Sequence, residues 1–89
     1  MKTGKAFLLT VILITFSANI FSQTAEEWKK LGNAESDSAN YTKAIEYYQK
    51  AIETDSNYFD AYFNLGSAFG EIHEFDKAIE YYSKAITKN

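Results

Sequence analysis

The sequence predicts an all-α chain: two helix–turn–helix units of 34 residues, stacked as a short α-solenoid and preceded by an apolar leader. Three observations lead there. Shifted by 34 residues, the chain falls on itself without a gap, and twelve of the 31 residue pairs between 25–55 and 59–89 are identical. Within each unit, apolar residues recur at three-and-four spacing on both sides of a polar segment, the period of a helix with one buried face. The first 22 residues share none of this pattern. A fixed period in this range marks a stacked architecture, in which each unit is one supersecondary element that buries its face against the next.

The leader comes first. Met1, Lys2 and Lys5 give a basic start, and Ala6 to Phe16 is an apolar run broken only by Thr10 and Thr15. Ser17 to Ser22 follows, and polarity rises at Gln23. A basic region, an apolar core and a small residue at the cut is the layout of a secretory signal peptide. Residues 1–22 are therefore expected to be removed after Ser22, with a cut near Ala18 or Asn19 as the weaker option. The rival is a retained anchor. Ala6 to Phe21 spans only 16 residues, with hydroxyls and an asparagine, against the roughly 20 needed to cross a bilayer. The leader looks bacterial, so the expected location is periplasmic or secreted, with no membrane contact after cleavage. The chain has no cysteine, which excludes a lipoprotein anchor and disulfide staples alike.

Residues 23–89 then form one domain, with repeats at about 25–58 and 59–89. Helices are expected at about 24–37, 41–54, 58–71 and 75–87. Thr24-x-x-Glu27 has the form of a capping box, and Asn57 is placed to cap the third helix. Trp28 and Leu31, extended by Ala25 and Ala34, form the stripe of the first helix. Tyr41, Ala44, Ile45, Tyr48, Ala51 and Ile52 form a wider one on the second. Polar segments Ser36–Asn40 and Gly70–Glu74 separate the helices. Gly32 and Gly66 sit inside helices, where glycine costs about 1 kcal/mol relative to alanine. A glycine at the same register twice points to close helix–helix approach, with Ala44 and Ala78 expected opposite and Tyr48 and Tyr82 beyond.

These residues resemble the tetratricopeptide repeat, whose pattern is W-x2-L-G-x2-Y, then A-x3-F, A and P. The first copy reads Trp28-x2-Leu31-Gly32-x2-Glu35, then Ala44-x3-Tyr48 and Ala51, with Ser56 at the proline position. The second reads Tyr62-x2-Leu65-Gly66-x2-Phe69, then Ala78-x3-Tyr82 and Ala85. The resemblance covers Ala25 to Asn89. Glu35 stands where the pattern has an aromatic, which suggests a solvated or edge position.

Composition excludes several functions. From Gln23 onward there are seven lysines, no arginine and twelve acidic residues, a net charge of −5 with His73 neutral. A nucleic-acid surface needs clustered Lys and Arg, and none is present. His73 is the only histidine and lies in a predicted turn beside Glu71, Glu74 and Asp76. With no second histidine and no cysteine, it reads as a solvated turn residue, and no metal site is expected. Glu46–Lys50 and Glu80–Lys84 read as ordinary i,i+4 surface pairs. No paired carboxylates, no serine with a histidine base and no phosphate-cradling loop are legible, so no catalytic residue and no cofactor is expected.

The resemblance implies instead a protein–protein interaction module. In that family the first helix of each repeat lines a concave face that holds an extended peptide. By register, the groove residues this implies are Lys29 and Asn33 from the first repeat and Asp60, Phe63, Asn64 and Ser67 from the second. Glu26, Ser36, Asp37, Gly70 and Glu71 complete the lining. Lys29, Asn33 and Asn64 also stand where some members clamp a C-terminal carboxylate. The alternative role is the extracytoplasmic sensor or tethering segment of a larger membrane-associated signalling protein. Ile79, Tyr82 and Ile86 form a stripe on the last helix with no following helix to cover it. Either a longer repeat array continues there, or the chain self-associates through that face.

Overall fold

The computed structural model describes residues 23–88. The leader at 1–22, its cleavage site and Asn89 lie outside the described residues. Among those described there are four helices and no strand: α1 (Ala25–Asp37), α2 (Tyr41–Thr54), α3 (Phe59–Glu71) and α4 (Phe75–Lys88). α1 packs on α2, α2 on α3 and α3 on α4, and α1 also touches α3. α2 and α4 do not meet among the described residues. Two helices are thus close on one side of the stack while two stand apart on the other. That arrangement makes α1 and α3 the inner, concave layer.

The capping box forms as the sequence implies. The Glu27 amide donates to the Thr24 hydroxyl at 3.1 Å, and the Thr24 amide donates to the Glu27 carboxylate at 3.3 Å. Asn57 does not cap α3. The cap position is Tyr58, which offers no side-chain bond, while the Asn57 amide donates to Asp55 Oδ1 at 3.0 Å in a local turn. The Asp55 carboxylate reaches forward two residues to that amide and fixes the turn before the helix starts. Ser56, at the proline position, accepts the Tyr62 hydroxyl through its backbone carbonyl at 2.9 Å.

Each repeat turns at the same place by the same device. Asn40 N–H donates to Glu35 C=O and Ala39 N–H to Ser36 C=O; in the second repeat Glu74 donates to Phe69 and His73 to Gly70. Both pairs are Schellman caps with a left-handed residue at the turn. That residue is Ala39 (φ 61°) in one repeat and His73 (φ 64°) in the other, neither of them glycine. Left-handed backbone costs a side-chain-bearing residue about 1–2 kcal/mol. The turn geometry is therefore imposed by the packing of the helices it joins.

The core lies between α2 and α3 and is shared with the inner faces of α1 and α4. Ala44, Ile45, Tyr48, Leu65, Ala68, Phe69 and Ala78 form its main cluster, and Ala25, Ala51 and Ala61 a second, with Ile52 bridging both. Alanines are frequent because neighbouring helices approach closely, α3 meeting all three others. The glycines serve the same end, but the expected partners are corrected. A Cβ on Gly32 would lie 2.5 Å from the Tyr48 ring, and one on Gly66 2.7 Å from the Tyr82 ring. The rings, not Ala44 and Ala78, fill the space the missing side chains leave. Ala78 lies instead near Gly70, 4.0 Å from where its Cβ would be.

Leu31 and Leu65 occupy one register, yet Leu65 is fully buried and Leu31 is 38 % exposed. Ala34 is likewise exposed. α3 has a helix on each flank, whereas α1 has no repeat before it among the described residues. The same asymmetry operates at the other end. Ile79 and Ile86 are 64 % and 75 % exposed, although their register mates Ile45 and Ile52 are covered by α3.

Candidate functional site

Register alone brings the predicted groove residues together. α1 and α3 run side by side, and two rungs connect them. In the first, the Lys29 ammonium sits 3.1 Å from Glu26 and 3.4 Å from Asp60. Tyr58 donates its hydroxyl to Glu26 and lies under the same ammonium, whose nitrogen is 5.6 Å from the ring centre. In the second, Asn33 Oδ1 accepts from the Tyr48 hydroxyl at 2.7 Å and from Asn64 Nδ2 at 3.4 Å.

The first rung is electrostatically satisfied. Tyr58 first, then the Glu26 and Asp60 carboxylates, push the Lys29 ammonium well above its ordinary pKa, against the opposing effect of partial burial. Tyr58 and Lys29 in turn hold the Glu26 carboxyl below its usual value. Burial, reinforced by Glu26, raises the Tyr58 hydroxyl. Lys29 is thus a fixed cation with two carboxylates on it. A C-terminal carboxylate arriving there would have to displace Asp60 or Glu26. The second rung leaves capacity unused: Asn33 Nδ2 and Asn64 Oδ1 make no hydrogen bond to another described residue. An amide pair with an NH2 group and a carbonyl oxygen free is suited to an extended backbone.

Beyond the rungs the surface turns aromatic. Phe63 is 48 % exposed, stacks on Phe59 at 6.1 Å and meets the Tyr82 ring at 5.4 Å. Ser67 shares a 2.9 Å hydrogen bond with the Tyr82 hydroxyl. All six predicted residues therefore lie along one surface. Tyr58, Phe59 and Tyr82 belong with them and were not anticipated. Gly66 was the available signal for Tyr82, since a glycine in the inner helix admits an outer-helix ring to the groove edge.

The outer layer carries no comparable constellation. Trp28 stacks on Tyr47 at 5.9 Å and Phe69 on Tyr81 at 5.4 Å, each pair under lysines. Lys50 lies over Trp28 at 5.1 Å, so the expected Glu46–Lys50 pair does not form and Glu46 bonds Lys43 at 3.3 Å. Glu80 and Lys84 pair at 3.2 Å as expected. An open hollow of about 590 Å³ lies by the repeat turns, with Glu35, Asn40, Lys43 and Ile72 among its walls. Glu35 is at its edge, accepting from Asn40 at 3.1 Å. His73 is exposed in its turn, edge-on to Phe75 at 5.5 Å. Among the described residues no group of three His, Cys, Asp or Glu is placed to hold a metal, and no helix is long and apolar enough to cross a membrane.

Comparison with known proteins places this geometry. A family model described as TPR repeat matches residues 32–72, and one described as tetratricopeptide repeat matches 59–89. Among 33 matching chains of solved structures is the crystal structure of MamA, with 33 % identity and a TM-score of 0.70. That alignment covers 72 % of this chain and 37 % of the MamA chain, so this chain spans little more than a third of that relative's length. No curated protein matches the sequence significantly.

Proposed function

The chain belongs to the tetratricopeptide repeat family, whose repeats are protein–protein interaction scaffolds, and from that premise we propose that it holds an extended segment of a partner protein along α1 and α3, outside the cytoplasm. The observation that carries the groove is the Asn33–Asn64 rung, which leaves an amide NH2 group and a carbonyl oxygen free beside the exposed Phe63. Backbone hydrogen bonds supply affinity independent of sequence, and the aromatic patch supplies an anchor.

Panning a random linear octapeptide library against the chain tests this. Enrichment is expected with the natural sequence and lost with an Asn64→Ala, Phe63→Ser double variant of unchanged helicity. Equal enrichment by both would place binding elsewhere.

Export rests on the leader: its basic start, apolar run and Ser22. Protein recovered from the periplasm of a bacterial host is expected to begin at or close to Gln23 by mass spectrometry. Intact Met1 in the membrane fraction would instead support a retained anchor.

The open face of α4 is a second contact surface, and its proposed occupant is the α4 face of another copy. A head-to-tail stack is disfavoured. It would lay α1 on α4, with Glu27 and Glu35 where α3 presents Ala61 and Phe69 to α2.

A further inference from the structure

Charge is divided between the two layers. α1 and α3 carry six carboxylates and two lysines, and α3 has no lysine at all. α2 and α4 carry four carboxylates and five lysines. Glu27 and Glu35 lie off the groove, but the lining itself carries Glu26, Asp37, Asp60 and Glu71 against Lys29 alone. Lys29, a cation inside that groove, is already matched by Glu26 and Asp60. The lysines of the outer layer are spent over aromatic rings: Lys43 over Tyr47, Lys50 over Trp28, Lys77 over Phe69 and Lys84 over Tyr81. That layer is close to neutral, five lysines against four carboxylates, so the acidic excess lies mainly on the inner side.

Resting on the groove reading above, we propose that the groove selects a cationic segment, with a lysine or arginine at Asp60 and Glu26 and an apolar or aromatic residue on Phe63. Asp60 and Phe63 are about one helical turn apart, roughly 5 Å. Side chains two residues apart on an extended chain point to the same side roughly 7 Å from each other, so one basic and one aromatic residue at i and i+2 span the two anchors. The Asn33–Asn64 rung takes the backbone between them. An incoming ammonium gains the free lone pairs of Asp60 and Glu26 without breaking the Lys29 pairs. An incoming carboxylate must displace one of them, and it meets the concave layer's negative field on approach.

Fluorescence anisotropy with the full chain and four labelled peptides of about eight residues, three of them blocked at both ends, decides it. All share a Ser/Gly background. One carries Lys-x-Phe, one Glu-x-Phe and one Lys-x-Ser, and the fourth ends in a free carboxylate. The Lys-x-Phe peptide is expected to bind about tenfold more tightly than each of the others, and more weakly as salt rises. Asp60→Asn should remove most of the preference for lysine over glutamate, while Phe63→Ser should abolish the preference for phenylalanine. Both side chains are exposed, so circular dichroism should be unchanged. If the Glu-x-Phe or free-carboxylate peptide binds best, the charge assignment is overturned and the groove stands. If no peptide binds, both fall. If Asp60→Asn leaves the selectivity intact, the cation is read elsewhere and the assignment is wrong.

Discussion

Gly32→Leu is expected to abolish cooperative thermal unfolding, whereas Gly66→Leu leaves a folded protein whose melting midpoint falls by only a few degrees. The two glycines occupy one register, and each faces a tyrosine ring closer than any real Cβ comes. The rings differ in what they can do about it. Tyr48 is 3 % exposed, inside the main cluster, and its hydroxyl is tied to Asn33. Any retreat breaks that bond and disturbs the core. Tyr82 is 37 % exposed, with no helix beyond it among the described residues, and can swing outward at the cost of its Ser67 bond and its Phe63 contact. Overpacking a closed site costs about 1–3 kcal/mol or more, and a domain under about 70–80 residues has only about 3–5 kcal/mol to lose. At Gly66 the strain is relieved and the gain in helix propensity, up to about 1 kcal/mol, partly offsets the loss of the Tyr82 contacts. Circular dichroism melts of both variants test this. Equal destabilisation would mean that the open end of the stack is not open in solution.

Ile79→Glu is expected to convert a weak dimer into a monomer without loss of helicity. Phe75, Ile79, Tyr82 and Ile86 form one exposed stripe on α4. In an antiparallel pairing Phe75 meets Ile86 of the second copy and Ile79 meets its Tyr82. The acidic flank of Asp76 and Glu80 then falls beside Thr87 and Ser83, so no like charges are forced together. Each large side chain buried in such a contact contributes roughly 1.5–3 kcal/mol. One helix face is nonetheless well short of the roughly 800 Å² per partner of a standard interface, so the dimer is expected to be weak. Sedimentation equilibrium of both forms reads the difference. A natural chain that stays monomeric at millimolar concentration, or a variant that still dimerises, would contradict the assignment of this face.

The repeat made most of the fold legible. A 34-residue period and helical stripes fix four helices to within a residue or two, because the pattern that sets a helix also sets which face is buried. What the register hides is position in the stack. Leu31 and Leu65 are the same residue at the same place in the same motif, and only the number of neighbouring helices makes one a core residue and the other half-exposed. The glycine partners were misassigned for a related reason. Ala44 and Tyr48 lie one turn apart on one face, and spacing alone does not say that the longer side chain fills the gap. Lys50 was matched to Glu46 by spacing, but the Trp28 ring offers it both apolar contact for its stem and a quadrupole for its charge. Register brought Lys29, Asn33, Asp60, Phe63, Asn64 and Ser67 onto one surface. Tyr58 was not, because it sits before its helix begins and reaches Glu26 across the boundary between repeats.

Amide chemical-shift mapping of the Lys-x-Phe peptide on the isotopically labelled chain tests the central claim most directly, since that claim concerns which surface binds. Shifts are expected along the inner layer, at Lys29, Asn33, Asp60, Phe63, Asn64 and Ser67, with the outer faces of α2 and α4 unchanged. Shifts confined to Tyr47, Lys50, Tyr81 and Lys84, or to the hollow beside Glu35 and Ile72, would contradict the account.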